Sequence, residues 1–260
     1  MTETIAIISL GAGVQSTTLF LLACAGEISP APVAAIFADT GWEPRAVYDH
    51  LAWLESIGTI PIYRVSDGNI RDNALHKPLG VDMPLYLTGA RGPGILRRQC
   101  TGKYKIAPIR RQTRALMREH GAARAIVMMG ISLDEVQRMR DSDVRYIENR
   151  YPLVDRRMTR QDCLVWLERQ GYPRPPKSAC IGCPYHSDAT WSAMRQTAPE
   201  EFAEACDFDD AIRQARPGYT TFLHKKRIPL RQVDFRTPQE RGQLDLFDGM
   251  DDECEGVCGV

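Results

Sequence analysis

The 260-residue chain has no excess charge of either sign, with Lys+Arg and Asp+Glu both at 33. That balance excludes a global field drawing the protein to nucleic acid or a membrane surface, so any basic site must be local. No run approaches the ~18 consecutive apolar residues of a membrane span, so no membrane partner is expected. An export signal is also missing from the pattern: Met1-Thr2-Glu3-Thr4 is not basic, and the apolar run behind it is broken by Gly11 and Gly13. Internal repeats are absent as well. Eight cysteines are present, and without an export signal they point to metal or redox chemistry in a reducing cytoplasm rather than to a disulfide framework. With 43% hydrophobic residues, the chain can bury one large core or one core with a small appendage.

Short apolar runs alternate with helical patterns over the first part of the chain. Ile5 to Leu10 reads as a buried strand, followed by a Gly-bearing loop and a helix from Ser16 to Ala25. Further strands are predicted at Val33 to Ala38, Ile60 to Val65 and Ala125 to Ile131, with helices at about Arg45 to Ile57 and from Pro108 to His120. Such alternation predicts an α/β fold with a parallel sheet covered by helices on both faces. Beyond Arg150 the pattern becomes helical (Thr159 to Gln170, Asp188 to Gln196, Glu200 to Arg216), with Pro-rich connections. We expect one nucleotide-binding domain with a helical C-terminal part over 1–234, and a polar, mobile, cysteine-containing tail over 235–260.

Two features carry chemistry. In Gly11-Ala12-Gly13-Val14-Gln15-Ser16-Thr17-Thr18 a strand passes through small residues into a helix, which presents backbone NH groups, a positive dipole end and the hydroxyls of Ser16, Thr17 and Thr18. Such a site suits phosphate, although it matches neither the Walker loop nor the dinucleotide fingerprint. Asp39-Thr40-Gly41 closes the second strand, and ligands of open parallel sheets sit beyond the carboxyl ends of the strands. The second feature is Cys180-Ile181-Gly182-Cys183, a C-x-x-C whose glycine permits the turn that lets both sulfurs face one metal. Cys100 is flanked by cations, Lys103 and Lys105 among them, which favour thiolate over thiol. Cys24, Cys163 and Cys206 lie in helical patterns among apolar neighbours and read as packing residues. Arg138 and Arg140 follow the strand ending at Ile131 and are candidates for a substrate phosphate, as is the basic run His224 to Arg227; His186 is a candidate cluster ligand or a hydrogen-bond donor to one.

In their order along the chain, GAGVQS, DTGWEP, QCTGKYKIAPIRR, MMGISLDEVQRMR, YPLVDRRMTRQDCLVWLERQGYP and SACIGCPYH resemble the phosphoadenylyl-sulfate and adenylyl-sulfate reductase family of the PP-loop adenine-nucleotide superfamily, over about residues 5–195. The resemblance implies a PP-loop, adenine nucleotide alpha hydrolase-like fold. It implies that Gly11, Gly13 and Ser16 contact phosphate, that Asp39, Thr40 and Gly41 complete the nucleotide site, and that Cys100, Cys180 and Cys183 hold a 4Fe-4S cluster. Gln99 stands where cluster-bearing members place a fourth cysteine, an arrangement similar to the three-cysteine clusters of tRNA-thiolating relatives. Gln15 stands where PP-loop pyrophosphatases carry an aspartate for Mg²⁺, and the ending Glu253-Cys254-Glu255-Gly256-Val257-Cys258-Gly259 is similar to the Glu-Cys-Gly tail whose cysteine attacks sulfur in the reductases.

Three functions are therefore expected alternatives. The first is an oxidoreductase acting on adenylyl sulfate or its 3'-phosphate, with Cys254 or Cys258 as nucleophile and a thioredoxin-like reductant. The second is an ATP-dependent sulfur transferase acting on nucleic acid or a small molecule. The third is a non-catalytic nucleotide sensor.

Overall fold

The computed structural model describes residues 3–76, 81–90, 92–214 and 216–236. These fall in two compact units: residues 3–67 with 101–178, and residues 68–100 with 179–236.

The first unit is the α/β part. In chain order it contains β1 (Thr4–Leu10), α1 (Val14–Cys24), β2 (Ala34–Asp39), α2 (Arg45–Ile57) and β3 (Ile62–Ser66). A π-helical turn (Thr101–Ile106) then leads into α4 (Ala107–Glu119), followed by β6 (Arg124–Met129), β7 (Ile147–Arg150), α5 (Pro152–Asp155) and α6 (Arg160–Arg169). The second unit contributes α3 (Ile70–His76), β4 (Tyr86–Gly89), β5 (Gly92–Ile95), α7 (Asp188–Thr197), α8 (Pro199–Ala211) and β8 (Tyr219–Phe222).

The five strands of the first unit pair in the order β3-β2-β1-β6-β7, all parallel. Side chains alternate between its faces, as the two-residue period of a strand requires. Ala6, Ile8 and Leu10 of β1 pack with α1, α2 and α6, through residues such as Leu19, Leu51 and Leu167. Ile5 and Ile7 of the same strand pack on the other face with Ile109, Leu116 and Met117 of α4. Both faces are thus covered, which is why β1, β2 and β6 read as nearly continuous apolar runs rather than as alternating ones. The direction of strand progression reverses between β1 and β6. The carboxyl edge at that switch is where an open α/β sheet leaves room for a ligand.

The second unit holds an antiparallel sheet in the order β5-β4-β8, none of whose strands the sequence pattern predicts. Asp209, fully buried on α8, organises its C-terminal part: its carboxylate accepts from Leu223 N at 2.7 Å and Leu230 N at 2.9 Å, and pairs with Arg213. The Trp191 ring is fully buried, with His186 edge-on at 4.8 Å and Phe202 at 6.4 Å.

Candidate functional site

The site at the switch point is built from the β1–α1 loop. Ala12 is fully buried with φ of 58°, a left-handed backbone that a residue with a Cβ adopts at a cost of about 1–2 kcal/mol. Strain of this kind persists only where the surroundings fix the backbone, and it concentrates at ligand sites. Helix α1 makes its first internal bond from Thr17 N to Gly13 O at 2.9 Å, so the amides of residues 14 to 16 precede the helical ladder and form its positive end. Ser16 Oγ folds back on Gly13, accepting from its N–H and donating to its carbonyl, both at 3.2 Å.

Gly11 and Gly13 are not required by the fold itself. Neither has positive φ, and an added Cβ would meet only Ser16 Oγ and Ser178 Cβ respectively, each at the ordinary contact distance of 3.5 Å. Their missing side chains instead leave the backbone open to close approach, as phosphate binding demands. Gly130, just past β6, is different. A Cβ there would lie 2.6 Å from both Ser16 Cα and Ser16 N and 2.9 Å from the Gln15 carbonyl carbon, so the glycine is what lets the end of β6 abut the first turn of α1.

Beside this contact, the Gln15 amide donates to Ser132 Oγ at 3.4 Å and to Glu135 Oε2 at 3.2 Å, with Gln15 and Ser132 both buried. Glu135 in turn pairs with Arg138. The Arg138 guanidinium, expected to face a substrate phosphate, therefore has a carboxylate on it already. Arg140 is directed to the carbonyls of Gln137 and Met139, at 2.9 and 2.7 Å.

The hydroxyls of Thr17 and Thr18, expected as phosphate donors, are instead fully buried. Thr17 Oγ1 meets His50 Nε2 at 3.0 Å and Thr18 Oγ1 donates to Val14 O at 2.9 Å, leaving Ser16 as the half-buried hydroxyl of the loop. Burial holds the pKa of His50 down to about 4, so it faces Thr17 as a neutral imidazole.

The turn after β2 supplies the neighbouring wall. Gly41 has φ of 70°, which explains the glycine, and its N–H donates to Asp39 Oδ1 at 2.7 Å. Tyr48 OH donates to the same oxygen at 2.8 Å; burial first, and then this bond, push the phenol's pKa above its usual value. Thr40 Oγ1 donates to Glu43 Oε1 at 2.9 Å, and Glu43, only 3% exposed, is met by Lys105 Nζ at 3.7 Å. Lys105, expected to favour a thiolate at Cys100, pairs with this buried carboxylate. Sequence reading gave Glu43 and Gly130 no role, and it singled out Ser132 only as standing where family members often place an arginine. For Glu43 the one local signal was the threonine three residues before it, close enough for the two side chains to hydrogen-bond.

Cys100, Cys180 and Cys183 belong to the second unit. Cys180 to Cys183 forms the expected turn, with Cys183 N donating to Cys180 O at 3.0 Å, and His186 Nε2 lies 3.0 Å from the same carbonyl. Cys100 N donates to Asp82 O at 2.9 Å. Cys100, Cys180 and Cys183 are all half-buried, while Cys163 and Cys206 are buried, with thiol pKa values raised by that burial to about 12 and about 11. Among the described residues no three His, Cys, Asp or Glu side chains are gathered as a metal-holding group. No step of the chemistry is routed through a cluster.

The basic run is structural. His224, Lys225 and Lys226 converge on Asp188, at 3.0, 3.6 and 3.3 Å, and Arg227 Nε donates to Leu87 O at 3.0 Å. Cys254 and Cys258 lie outside the described residues. No helix among the described residues is long and apolar enough to cross a membrane.

No family model matches the chain, and no curated protein matches it. Among solved structures it is similar to a phosphoadenylyl-sulfate reductase from Candida auris in complex with phosphate, at 13% identity and a TM-score of 0.41 over 67% of this chain and 76% of that one. It is also similar to a U34-tRNA thiolase from Methanococcus maripaludis with its 4Fe-4S cluster, at 14% identity and a TM-score of 0.43 over 82% of this chain and 73% of that one.

Proposed function

We propose that the protein is an adenine-nucleotide-dependent sulfur enzyme of the sulfonucleotide reductase type, acting on adenylyl sulfate or its 3'-phosphate. The observation that carries the nucleotide part is the β1–α1 loop: two glycines that the fold does not need, a strained Ala12 between them and the amide end of α1 meet at the switch point of a parallel sheet. Gly11, Gly13 and Ser16 take the phosphate in this reading, and the Asp39-Thr40-Gly41 turn borders it. The sulfur chemistry rests on the sequence resemblance. A tail thiolate, Cys254 or Cys258, attacks the sulfonate sulfur, the S–O bond to the nucleotide breaks and the nucleotide leaves with its oxygen. A second thiol, from the tail or from a thioredoxin-like protein, then displaces sulfite and leaves a disulfide. Cys100, Cys180 and Cys183 are the ligands we propose for a 4Fe-4S cluster. All three are half-buried and lie in one compact unit.

One observation favours the adenylating sulfur transferase as a second reading. Glu135 places a carboxylate 3.2 Å from Gln15, the position at which the resemblance expects an aspartate for Mg²⁺. Sulfite release from adenylyl sulfate and its 3'-phosphate with reduced thioredoxin tests the first reading. Conversion of ATP to AMP without sulfite release would replace it with the second.

A further inference from the structure

Within the parallel-sheet unit a cleft of about 570 Å³ opens beside α4 and shares no lining residue with the Gly11–Ser16 loop or the turn after β2. Its volume lies within the ~300–1,000 Å³ typical of small-molecule sites. Arg110, Arg111 and Arg114 of α4 line it, with Ile106 from the preceding turn and Ser142 and Asn149 from the chain entering and forming β7. Asp141 and Asp143 are the carboxylates in this lining, so arginine outnumbers acid.

The arginines are held, not waving. Arg110 is forked onto Asp143, and Arg111 onto Asp67. Arg114 is seated over the Tyr146 ring, 4.9 Å from its centroid, and forms no ion pair among the described residues. A guanidinium fixed by a ring and left without a carboxylate has already lost side-chain freedom before a ligand arrives, so less is lost on binding. Asn149 Nδ2 is used on Arg140 O at 2.9 Å, while its Oδ1 is buried without a donor. An orphaned acceptor is the kind of group that a ligand hydroxyl satisfies. Ser142 Oγ accepts from Val144 N at 3.3 Å and keeps its own proton to donate. Ile106 and Ala107 add an apolar wall that inorganic phosphate alone would not use.

We propose that this cleft binds the phosphate ester of an organic ligand of nucleotide size, with Arg114 on the phosphate and Ser142 and Asn149 on its hydroxyl-bearing part. The planar donor fork of arginine matches a phosphate in two places at once, whereas a single carboxylate neighbour would have neutralised it. The ester could belong to a free sugar phosphate or nucleotide, or to the backbone of a single-stranded RNA. The chemistry at Arg114 is the same.

The test is calorimetric titration of the full chain with ribose 5-phosphate and, separately, with a ten-nucleotide single-stranded RNA. Arg114→Glu should weaken the bound probe at least tenfold, while adenylyl sulfate, tested as a competitor for the loop, keeps its affinity. Arg118→Glu, one helical turn further along α4 and outside the cleft, should change binding less than threefold. Loss confined to ribose 5-phosphate identifies a small ligand, and loss confined to the RNA identifies a polynucleotide. The proposal falls if neither probe binds, if Arg114→Glu binds as wild type does, or if Arg118→Glu is as damaging as Arg114→Glu, which would reveal a diffuse basic face.

Discussion

A single methyl group separates the fold's demand for glycine from the ligand's. At Gly130 a Cβ would sit 2.6 Å from two backbone atoms of Ser16 and 2.9 Å from a third atom in Gln15, about 1 Å inside normal carbon contact. None of these is the end of a flexible side chain, so β6 and α1 must separate. Overpacking of this type costs about 1–3 kcal/mol, and the displaced first turn of α1 should lose at least tenfold in nucleotide affinity. At Gly13 the corresponding contact is 3.5 Å, to Ser178 Cβ, and φ is −94°, so alanine fits the backbone. Gly13→Ala should therefore change stability by no more than about 0.5 kcal/mol. Its methyl group would nonetheless occupy the approach to the loop, so adenylyl sulfate should bind at least tenfold more weakly. Urea denaturation and calorimetry on the two variants read both quantities. A Gly13→Ala protein that binds like wild type, or one that loses as much stability as Gly130→Ala, would refute the assignment of the loop to a phosphate.

Three further outcomes follow from other parts of the structure. His50 titrates near 4 when folded and near 6.5 when unfolded, so the unfolded chain binds the extra proton between those values; stability should be complete above pH 6.5 and decline toward pH 4, and His50→Gln should flatten that decline in urea midpoints taken at pH 7 and pH 5. Asp188 is hydrogen-bonded by His224 and ion-paired with Lys225 and Lys226, so Asp188→Asn should cost about 2 kcal/mol in thermal or urea unfolding, without altering nucleotide affinity. Protein purified without oxygen should carry about four irons per chain, and Cys100→Ser, Cys180→Ser or Cys183→Ser should each lower that count; a colourless wild type with one zinc would remove the cluster from the account.

The parallel sheet was legible because burial on both faces writes itself as apolar runs: Ile5 to Leu10 is interrupted only by Ser9, and Ala34 to Ala38 is apolar throughout. Helix α2 was read at the boundaries it has, Arg45 and Ile57, because Val47, Leu51 and Leu54 recur at helical spacing. The antiparallel strands escaped since β4 and β5 are four residues each and Gly92-Pro93-Gly94 reads as a loop. At the site, Gly11, Gly13 and Ser16 were visible as local sequence. The bonds that shape their surroundings, Gln15 to Ser132 and Glu135 and the backbone contact at Gly130, join residues more than a hundred positions apart and leave no local pattern. Thr17 and Thr18 misled for the opposite reason. A hydroxyl looks the same in sequence whether it faces phosphate or, as here, His50 and the Val14 carbonyl.

The most direct test of the central claim is deletion of residues 250–260, with sulfite release from adenylyl sulfate, adenylyl sulfate affinity and ATP turnover measured on the same preparation. The account predicts that sulfite release is abolished while nucleotide affinity stays within twofold of wild type, because the loop at Gly11 to Ser16 binds and a tail cysteine reacts. Undiminished sulfite release, or a shortened protein that converts ATP to AMP and thiolates an acceptor, would contradict it.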